Sequence, residues 1–331
     1  MKVNIGVNGL GRIGRCIIRA VAEREDDDLN LVAINGTGNI EQYVNLLQYD
    51  SVHGRFSRHI SVEEDFLIIG KNKIKFFNEK DPEQIPWKSA GVDVVLECTG
   101  KFKTRQSAEK HIKAGAKRVI ISAPSDDADA TIVYGVNDNI LTSDHRIISI
   151  GSCTTNALAP IAKVINDEFG IDVGYMTTIH SYTNDQTILD NRHEDPRRSR
   201  ACSLSMIPTS TGAAKAIGLV LPELKGKLSG SAIRVPTPNV SMIDLTVLLN
   251  KQVTASEINE AVRRASVSPV LKSVLGIAES KLVSIDFNHD PHSTIFDPYE
   301  THVNRNLARV VSWYDNEWGF SNRMLDVAKI K

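Results

Sequence analysis

Two features of this chain have residue types and spacing suited to chemistry. The first is a thiol. Cys153 stands in Gly151-Ser152-Cys153-Thr154-Thr155-Asn156, between a strand-like run at 146–150 and a helical pattern at 156–168. A cysteine at a helix N-terminus meets unpaired amides and the positive end of the helix dipole, which stabilise its thiolate. Ser152, Thr154 and Thr155 add hydroxyls that can cap the helix or bind an anion. Cys16 lies inside a helical pattern, Cys98 follows a strand and Cys202 sits among small residues, so these three read as inert. His180 ends a strand-like run at 176–180 and opens a long polar stretch at 181–200. An imidazole beside a thiol can take its proton and later serve as general base. Neither residue decides the matter alone, because free buried cysteines are common and the chain has nine histidines.

The second feature is a glycine cradle. Gly9-Leu10-Gly11-Arg12-Ile13-Gly14 follows a β-branched run at 3–7 and opens a helical pattern at 13–25. Such glycines allow a tight turn, a close approach of backbone to a diphosphate, and close packing of helix on strand. Between a strand and a helix the motif reads as a dinucleotide site. The fingerprint expects an acidic residue about 20 residues on, held by the ribose hydroxyls. Here the second strand ends in Asn35-Gly36-Thr37-Gly38, and the next acid is Glu41. A missing carboxylate removes the charge that would repel a 2′-phosphate. Thr37 and the glycine amides could bind one instead, which favours NADP or use of both cofactors. The alternative is NAD held by neutral groups.

These groups need a frame. At about 100–200 residues per domain, a length of 331 residues predicts about two domains. Strand and helix patterns alternate through the first 150 residues: strand at 29–34, helix at 40–47, strand at 92–97, helix at 107–114 and strand at 118–122. That rhythm implies a parallel sheet with right-handed crossovers; hairpin material at 59–77 interrupts it. Later, runs at 240–249, 282–288 and 307–314 read as strands of a mostly antiparallel sheet, and 255–266 and 322–330 as helices. The expected fold is α/β, with a Rossmann-type parallel-sheet dinucleotide-binding domain and an α+β catalytic domain.

Composition excludes some functions. Lys and Arg number 39 against 40 Asp and Glu, net −1. A general nucleic-acid binder needs an excess of cations. No apolar run reaches the ~18 residues that span a bilayer. The N-terminal sequence lacks the charged-then-apolar order of a signal peptide, so a cytoplasmic protein is expected. The four cysteines form no C-x-x-C pair, so no metal site is signalled.

Several motifs occur in a fixed order: NGLGRIGR from residue 8, SCTTN at 152–156, TTIHSYTNDQ at 177–186, IPTSTGAAKA at 207–216, LSGSAIRVPTPNVS at 228–241 and WYDNEWGFSNRM at 313–324. Together they resemble the glyceraldehyde-3-phosphate dehydrogenase family from the first strand to the last helix. The resemblance implies oxidation of an aldehyde to an acyl phosphate with a nicotinamide cofactor and inorganic phosphate. Cys153 then matches the nucleophile and His180 its proton partner. Thr183 and Arg234 match the site for the substrate's phosphate. Ser152, Thr154, Thr211 and Gly212, with Arg198 nearby, match the site for attacking phosphate. Arg12, Ile13, Ser122 and Asn316 match cofactor contacts, and Lys80 and Phe102 match more loosely. The resemblance also implies a homotetramer, and domains at 1–151 with 317–331 and at 152–316.

Departures from the family pattern matter too. Gly36 replaces the ribose-binding Asp. Asp190-Asn191-Arg192-His193 stands where NAD-specific members have Asp-Leu-Pro-His, in a loop that reaches a neighbouring subunit's cofactor. Asn191 and Arg192 could bond and neutralise a 2′-phosphate, a second reason to expect NADP or both cofactors. Ala157 replaces a second cysteine, and Ile150-Gly151 replaces Asn-Ala, a change with no account here. The segment FNHDPHS at 287–293 also occurs in erythrose-4-phosphate dehydrogenase, the nearest rival. That relative lacks the Thr-Gly motif and the Tyr-Thr-Asn that here are Thr211-Gly212 and Tyr182-Thr183-Asn184. A cofactor-binding regulator without catalysis would have lost Cys153 or His180.

Overall fold

The computed structural model describes residues 2–24 and 28–330. The chain forms two compact units: Met1–Tyr134 with Asp138–Ser152 and Phe320–Lys331, and Gly135–Asn137 with Cys153–Gly319.

The first unit begins β1 (Val3–Asn8), α1 (Arg12–Arg24), β2 (Leu29–Asn35) and α2 (Ile40–Gln48). The end of the predicted first helix, Glu25, lies outside the described residues, as do the terminal residues 1 and 331 of the expected cofactor domain. A short ladder, β3 (Tyr49–Asp50) and β4 (Gly54–Arg55), leads to the expected hairpins β5 (Ile60–Glu63), β6 (Phe66–Ile69) and β7 (Asn72–Phe77). The rhythm resumes with β8 (Val94–Glu97), α3 (Arg105–Lys113), β9 (Arg118–Ile121), β10 (Ala130–Thr131) and β11 (Ile147–Ser149). The sheet order is β10-β11-β9-β8-β1-β2-β7-β6-β5. From β10 to β7 every pairing is parallel; only the hairpin edge is antiparallel. Parallel strands covered on both faces need apolar residues on both. Val95, Leu96, Val119 and Ile120 are accordingly buried. β1 lies between β2 and β8, so the chain reverses its winding there. Open α/β sheets bind ligands at the C-terminal ends of the strands flanking such a point.

The second unit begins with α4 (Cys153–Phe169), β12 (Ile171–Ser181), β13 (Ile207–Ser210), α5 (Ala213–Val220), β14 (Leu228–Val235) and β15 (Ser241–Leu249). It continues with α6 (Ala255–Ser266), β16 (Leu275–Ile277), β17 (Thr294–Asn304), β18 (Leu307–Tyr314) and α7 (Trp318–Ala328). The last helix carries the chain into the first unit. The sheet order is β13-β14-β12-β15-β18-β17-β16, mostly antiparallel, with parallel pairs β12–β14 and β16–β17. β15 alternates buried and half-buried residues along its whole length, the pattern of a strand with one face on a core. Ile243, Leu245 and Val247 form that face.

One predicted strand is corrected. Residues 282–288 contain a 3₁₀ turn, Ser284–Phe287, because the Asp286 carboxylate accepts the Val283 N–H at 2.9 Å and closes the chain on itself. Among the described residues, no helix is long and apolar enough to cross a membrane.

Candidate active site

In the first unit, β1 ends at Asn8 and the chain turns through Gly9, whose φ is +96°. A side chain is strained at such an angle. A Cβ there would also lie 2.7 Å from Thr99 Cγ2. At Gly14 a Cβ would lie 2.0 Å from the Gly9 carbonyl oxygen, so packing of α1 on the turn demands that glycine as well. Gly11 differs: a Cβ built there meets no atom within 4 Å. The cradle therefore keeps open space in front of the first turn of α1, whose first amides precede the Arg15 N–H bond to Gly11 O at 3.1 Å. A diphosphate fits that combination of clearance and donors.

The Arg12 side chain is held by an acid. It forms a two-pronged pair with Asp50, Nη1–Oδ2 2.6 Å and Nη2–Oδ1 3.0 Å. Burial works against the Asp50 carboxylate, but the Arg12 bonds and the His53 and Val52 amides hold its pKa well below the usual range. Ile13 is half-buried within α1.

The adenosine side of the cradle corrects one expectation. Neither glycine amide is available to a 2′-phosphate: Gly36 N–H donates to Phe77 O at 3.1 Å, and Gly38 N–H donates to the Tyr43 hydroxyl at 3.0 Å. Strand pairing and the Tyr43 phenol have taken them. What remains is the exposed Thr37 and, further along, the exposed Lys80. The Tyr43 ring occupies the place of a side chain at position 36, since a Gly36 Cβ would lie 2.9 Å from Tyr43 Cε2 and 3.0 Å from Leu10 Cδ1.

Asn35 belongs to a polar chain that sequence reasoning missed. Asn35 Nδ2 donates to Asn8 Oδ1 at 2.8 Å, and Asn8 Nδ2 donates to Glu97 Oε2 at 2.6 Å. Glu97 also accepts the Thr99 amide at 2.7 Å and its hydroxyl. Trp87 Nε1 donates to His111 Nδ1 at 3.0 Å, so His111 carries its proton on Nε2 and donates to Glu97 Oε2 at 2.9 Å. Glu97 and His111 are both buried. These groups tie together the ends of β1, β2 and β8, the strands that carry the glycine turn. The available signal was an acid closing the apolar run Val94–Glu97. Next to it, Cys98 has its thiol pKa pushed up by burial and by the Glu97 charge, despite a bond to Ser122.

In the second unit, α4 starts at Cys153 itself. Its Sγ lies 3.5 Å from His180 Nε2. β12 runs long enough to deliver His180 as its penultimate residue, buried. The predicted pair is thus brought together. Although Cys153 keeps some exposure, burial of the thiol pushes its pKa up, outweighing the Arg234 charge and the Thr154 hydroxyl and amide that favour the thiolate. Burial first, and the Arg234 charge second, lower the His180 pKa to about 3.

Arg234 was predicted for substrate phosphate. It stands opposite His180 in the β12–β14 register. Its Nη1 lies 2.6 Å from His180 Nδ1 and donates to Ser181 O at 2.9 Å. Its Nε is buried with no hydrogen-bond partner. Arg198 lies close enough for its charge to act on Arg234. The Arg198 head group donates to Thr209 Oγ1 at 2.9 Å and to Asp185 Oδ2 at 2.7 Å. Thr183 is held by Gln186, whose Oε1 accepts its amide at 2.9 Å. Thr211 Oγ1 accepts the Ala213 N–H at 3.2 Å beside Gly212, at the start of α5. Asn191 and Arg192 are exposed in the long loop, where Asn191 Oδ1 accepts the Arg192 amide at 2.8 Å. Ser152 is half-buried one residue before Cys153.

Tyr314 is a second residue that sequence reasoning missed. Its hydroxyl lies 2.9 Å from both Thr154 Oγ1 and Thr178 Oγ1, and its ring meets His180 edge-on with centroids 5.9 Å apart. It pins the first turn of α4 to β12. Asn316 is fixed through its oxygen, which accepts Ser181 Oγ at 2.8 Å and Ser241 Oγ at 2.9 Å, leaving its NH₂ to donate elsewhere.

Two family models match the chain. The Glyceraldehyde 3-phosphate dehydrogenase, NAD binding domain matches residues 3–105, and the Glyceraldehyde 3-phosphate dehydrogenase, C-terminal domain matches residues 152–316. A glyceraldehyde-3-phosphate dehydrogenase from Xanthobacter flavus is 54% identical over 329 residues, 99% of this chain and 98% of that protein. One from Cereibacter sphaeroides is 53% identical over the same shares. Glyceraldehyde-3-phosphate dehydrogenase 2 of Bacillus subtilis is 49% identical, covering 99% of this chain and 96% of that protein.

Proposed function

The chain belongs to the glyceraldehyde-3-phosphate dehydrogenase family, and from that premise we propose that it oxidises glyceraldehyde 3-phosphate to 1,3-bisphosphoglycerate with NAD or NADP and inorganic phosphate. The observation that carries this reading is the 3.5 Å approach of Cys153 Sγ to His180 Nε2 at the first turn of α4. A sulfur in that place attacks the aldehyde carbon, forming an S–C bond and a hemithioacetal. His180 takes the hydroxyl proton as the hydride leaves the carbon. When bound, the nicotinamide cofactor supplies the hydride acceptor. Phosphate then attacks the thioester carbon, the S–C bond breaks, and the sulfur leaves as thiolate.

Thr183 and Arg234 hold the substrate's phosphate in this proposal, and Ser152, Thr154, Arg198, Thr211 and Gly212 hold the attacking one. Hydroxyls, backbone amides and guanidinium suit phosphate oxygens. The Gly9–Gly14 turn, with Ile13, Ser122 and Asn316, holds the cofactor. Its dinucleotide-binding domain comprises residues 1–151 with 317–331, and its catalytic domain residues 152–316.

The enzyme takes NADP, alone or beside NAD, because position 36 carries no acid and Thr37, Asn191, Arg192 and Lys80 remain for a 2′-phosphate. It works in the cytoplasm as a homotetramer. The loop that bears Asn191 exposes Ile188, Leu189, Leu204 and Met206, an apolar surface suited to a second copy of the chain.

Turnover with NAD and with NADP, each with and without phosphate, tests the reading. It predicts phosphate-dependent formation of the acyl phosphate, abolished by iodoacetamide and by Cys153→Ser. Release of free acid without phosphate points instead to the erythrose-4-phosphate dehydrogenase reaction. Cofactor binding without turnover points to a regulator.

A further inference from the structure

Two adjacent residues of the second unit, Asp315 and Asn316, are held by Asn239 and Ser241, which lie on either side of Val240. Asn239 Nδ2 donates to Asp315 Oδ2 at 2.8 Å, and Ser241 Oγ donates to Asn316 Oδ1 at 2.9 Å. The antiparallel pairing of β15 with β18 ends at this point, with Ser241 opposite Tyr314. Val240 stands just outside the ladder with φ +65°, in the left-handed region. That angle is a genuine outlier for a β-branched residue, and Val240 is also buried. Asn239 Oδ1 adds a cost of its own, because it is buried with no hydrogen-bond partner. Backbone strain persists only where the surroundings over-determine it, and it clusters at ligand sites. A strained valine beside an unsatisfied amide therefore points to a geometry kept for something other than stability.

Asp315 is the hub of this junction, and it is 1% exposed. Its Oδ1 accepts the Glu317 N–H at 2.9 Å and the Trp318 N–H at 2.7 Å, and its backbone carbonyl accepts the Gly319 N–H at 3.1 Å. Those bonds make it the N-cap of α7. Its Oδ2 serves a different end. Besides Asn239 it accepts the His289 N–H at 2.7 Å. His289 has φ +69°, and its ring stacks on Trp318 with centroids 3.6 Å apart. Asn288 Oδ1 accepts a further bond from Asn239 Nδ2 at 2.7 Å. The segment 287–293, distinctive in the sequence, thus closes on one carboxylate. One oxygen starts a helix, and the other ties two loops to the residue beside Asn316.

We propose that Asp315 is a positioning residue: its Oδ2 clamp on Asn239 and His289 sets where Asn316 presents its amide, and so fixes the carboxamide of the nicotinamide. The proposal deepens the reading of the chain as a nicotinamide-dependent dehydrogenase and rests on Asn316 as a contact of that ring. Asp315 acts through Asn316 rather than on the cofactor itself. In the same reading the Gly9–Gly14 turn serves the diphosphate, and Thr37 the adenosine. Loss of the clamp therefore acts on one end of the cofactor only.

The test compares ligands that differ at that end. ADP-ribose keeps the adenosine, the diphosphate and the second ribose of NAD and lacks the nicotinamide. Calorimetry on the full enzyme gives dissociation constants for NAD and ADP-ribose, and for NADP and its nicotinamide-free counterpart. Asp315→Asn is nearly isosteric. Its remaining oxygen still caps α7, while an NH₂ replaces the oxygen that faces Asn239 and His289. The proposal predicts that this variant binds NAD and NADP about tenfold more weakly, while the nicotinamide-free ligands bind within about twofold of the parent. Asn239→Ala breaks the clamp from the other side, leaves Asp315 to cap α7, and is expected to show the same split. If Asp315→Asn does not fold, Asn239→Ala decides by the same criterion. Equal weakening of both kinds of ligand, or weakening of neither, overturns the proposal and makes Asp315 a helix cap alone. A parent enzyme that binds neither NAD nor NADP overturns the dinucleotide reading, and the proposal with it.

Discussion

His180 and Arg234 are direct partners in the parallel pairing of β12 with β14. Paired strands lie ~4.7–4.9 Å apart, so the backbone ladder holds imidazole and guanidinium together independently of the polar loop that follows Ser181. An imidazole and a guanidinium are thus built side by side into one sheet.

Loss of either half of the thiol–imidazole pair has a distinct signature. Cys153→Ser is expected to abolish turnover and iodoacetamide labelling at this site. His180→Asn keeps the thiol but removes the proton acceptor, so kcat is expected to fall about 10²–10⁴-fold, the usual worth of a positioned acid–base group. A His180→Asn enzyme within a factor of about 10 of the parent's kcat would assign the proton to another group.

Acid should weaken the fold through the same histidine. Its folded pKa is lowered to about 3 from 6.5. Between those values the unfolded chain binds a proton that the folded chain refuses, so stability is full above pH 6.5 and declines as pH falls towards 3. The contribution is at most about 1.4 kcal/mol per pH unit. Urea midpoints at neutral and mildly acid pH measure it. His180→Gln should flatten the decline, and an unchanged slope counts against a neutral buried imidazole.

In the proposed reading, cofactor preference turns on positions 36 and 43 together. Gly36→Asp supplies the missing acid and should lower the NADP/NAD ratio of kcat/KM. Its Cβ, however, enters the space of the Tyr43 ring at 2.9 Å. Crowding of this kind typically costs about 1–3 kcal/mol. Gly36→Asp combined with Tyr43→Ala is therefore expected to shift the ratio further than Gly36→Asp alone. If neither variant lowers it, position 36 does not govern the choice.

The buried carboxylate beneath the glycine turn should matter to stability and to cofactor binding alike. Glu97→Gln replaces an acceptor oxygen with an NH₂ facing other donors. Leaving a buried donor without its acceptor costs about 1–3 kcal/mol, readable as a lower urea midpoint. KM for the cofactor should rise more than kcat falls, because the network positions β1 and its turn. Unchanged KM in a destabilised variant would make the network purely structural.

The glycine turn was legible because strand, glycines and helix are contiguous, although the collision that fixes Gly9 comes from Thr99, far along the chain. The dyad was legible in part, as a thiol at a helix start and a histidine at a strand end. Their burial was not, because it arises from the whole unit; it works against the thiolate that the helix N-terminus favours. Arg234 as a neighbour of His180 depends on the register of β14, a strand whose pattern the sequence reading did not pick out. Residues 282–288 misled for a related reason: alternation suggests extended chain, but one carboxylate, Asp286, was enough to wind it. The Glu97 network joins residues from separate strands and a helix, so no spacing rule announces it.

Gly9 and Gly14 cannot carry a side chain without collision, but the open ground in front of Gly11 gives folding no reason to keep a glycine there. In the proposed reading, a survey of variants scored by stability passes over position 11 as silent, while one scored by turnover marks it. If the cradle holds the cofactor as proposed, Gly11→Ala is expected to weaken cofactor binding while leaving an intact protein to observe.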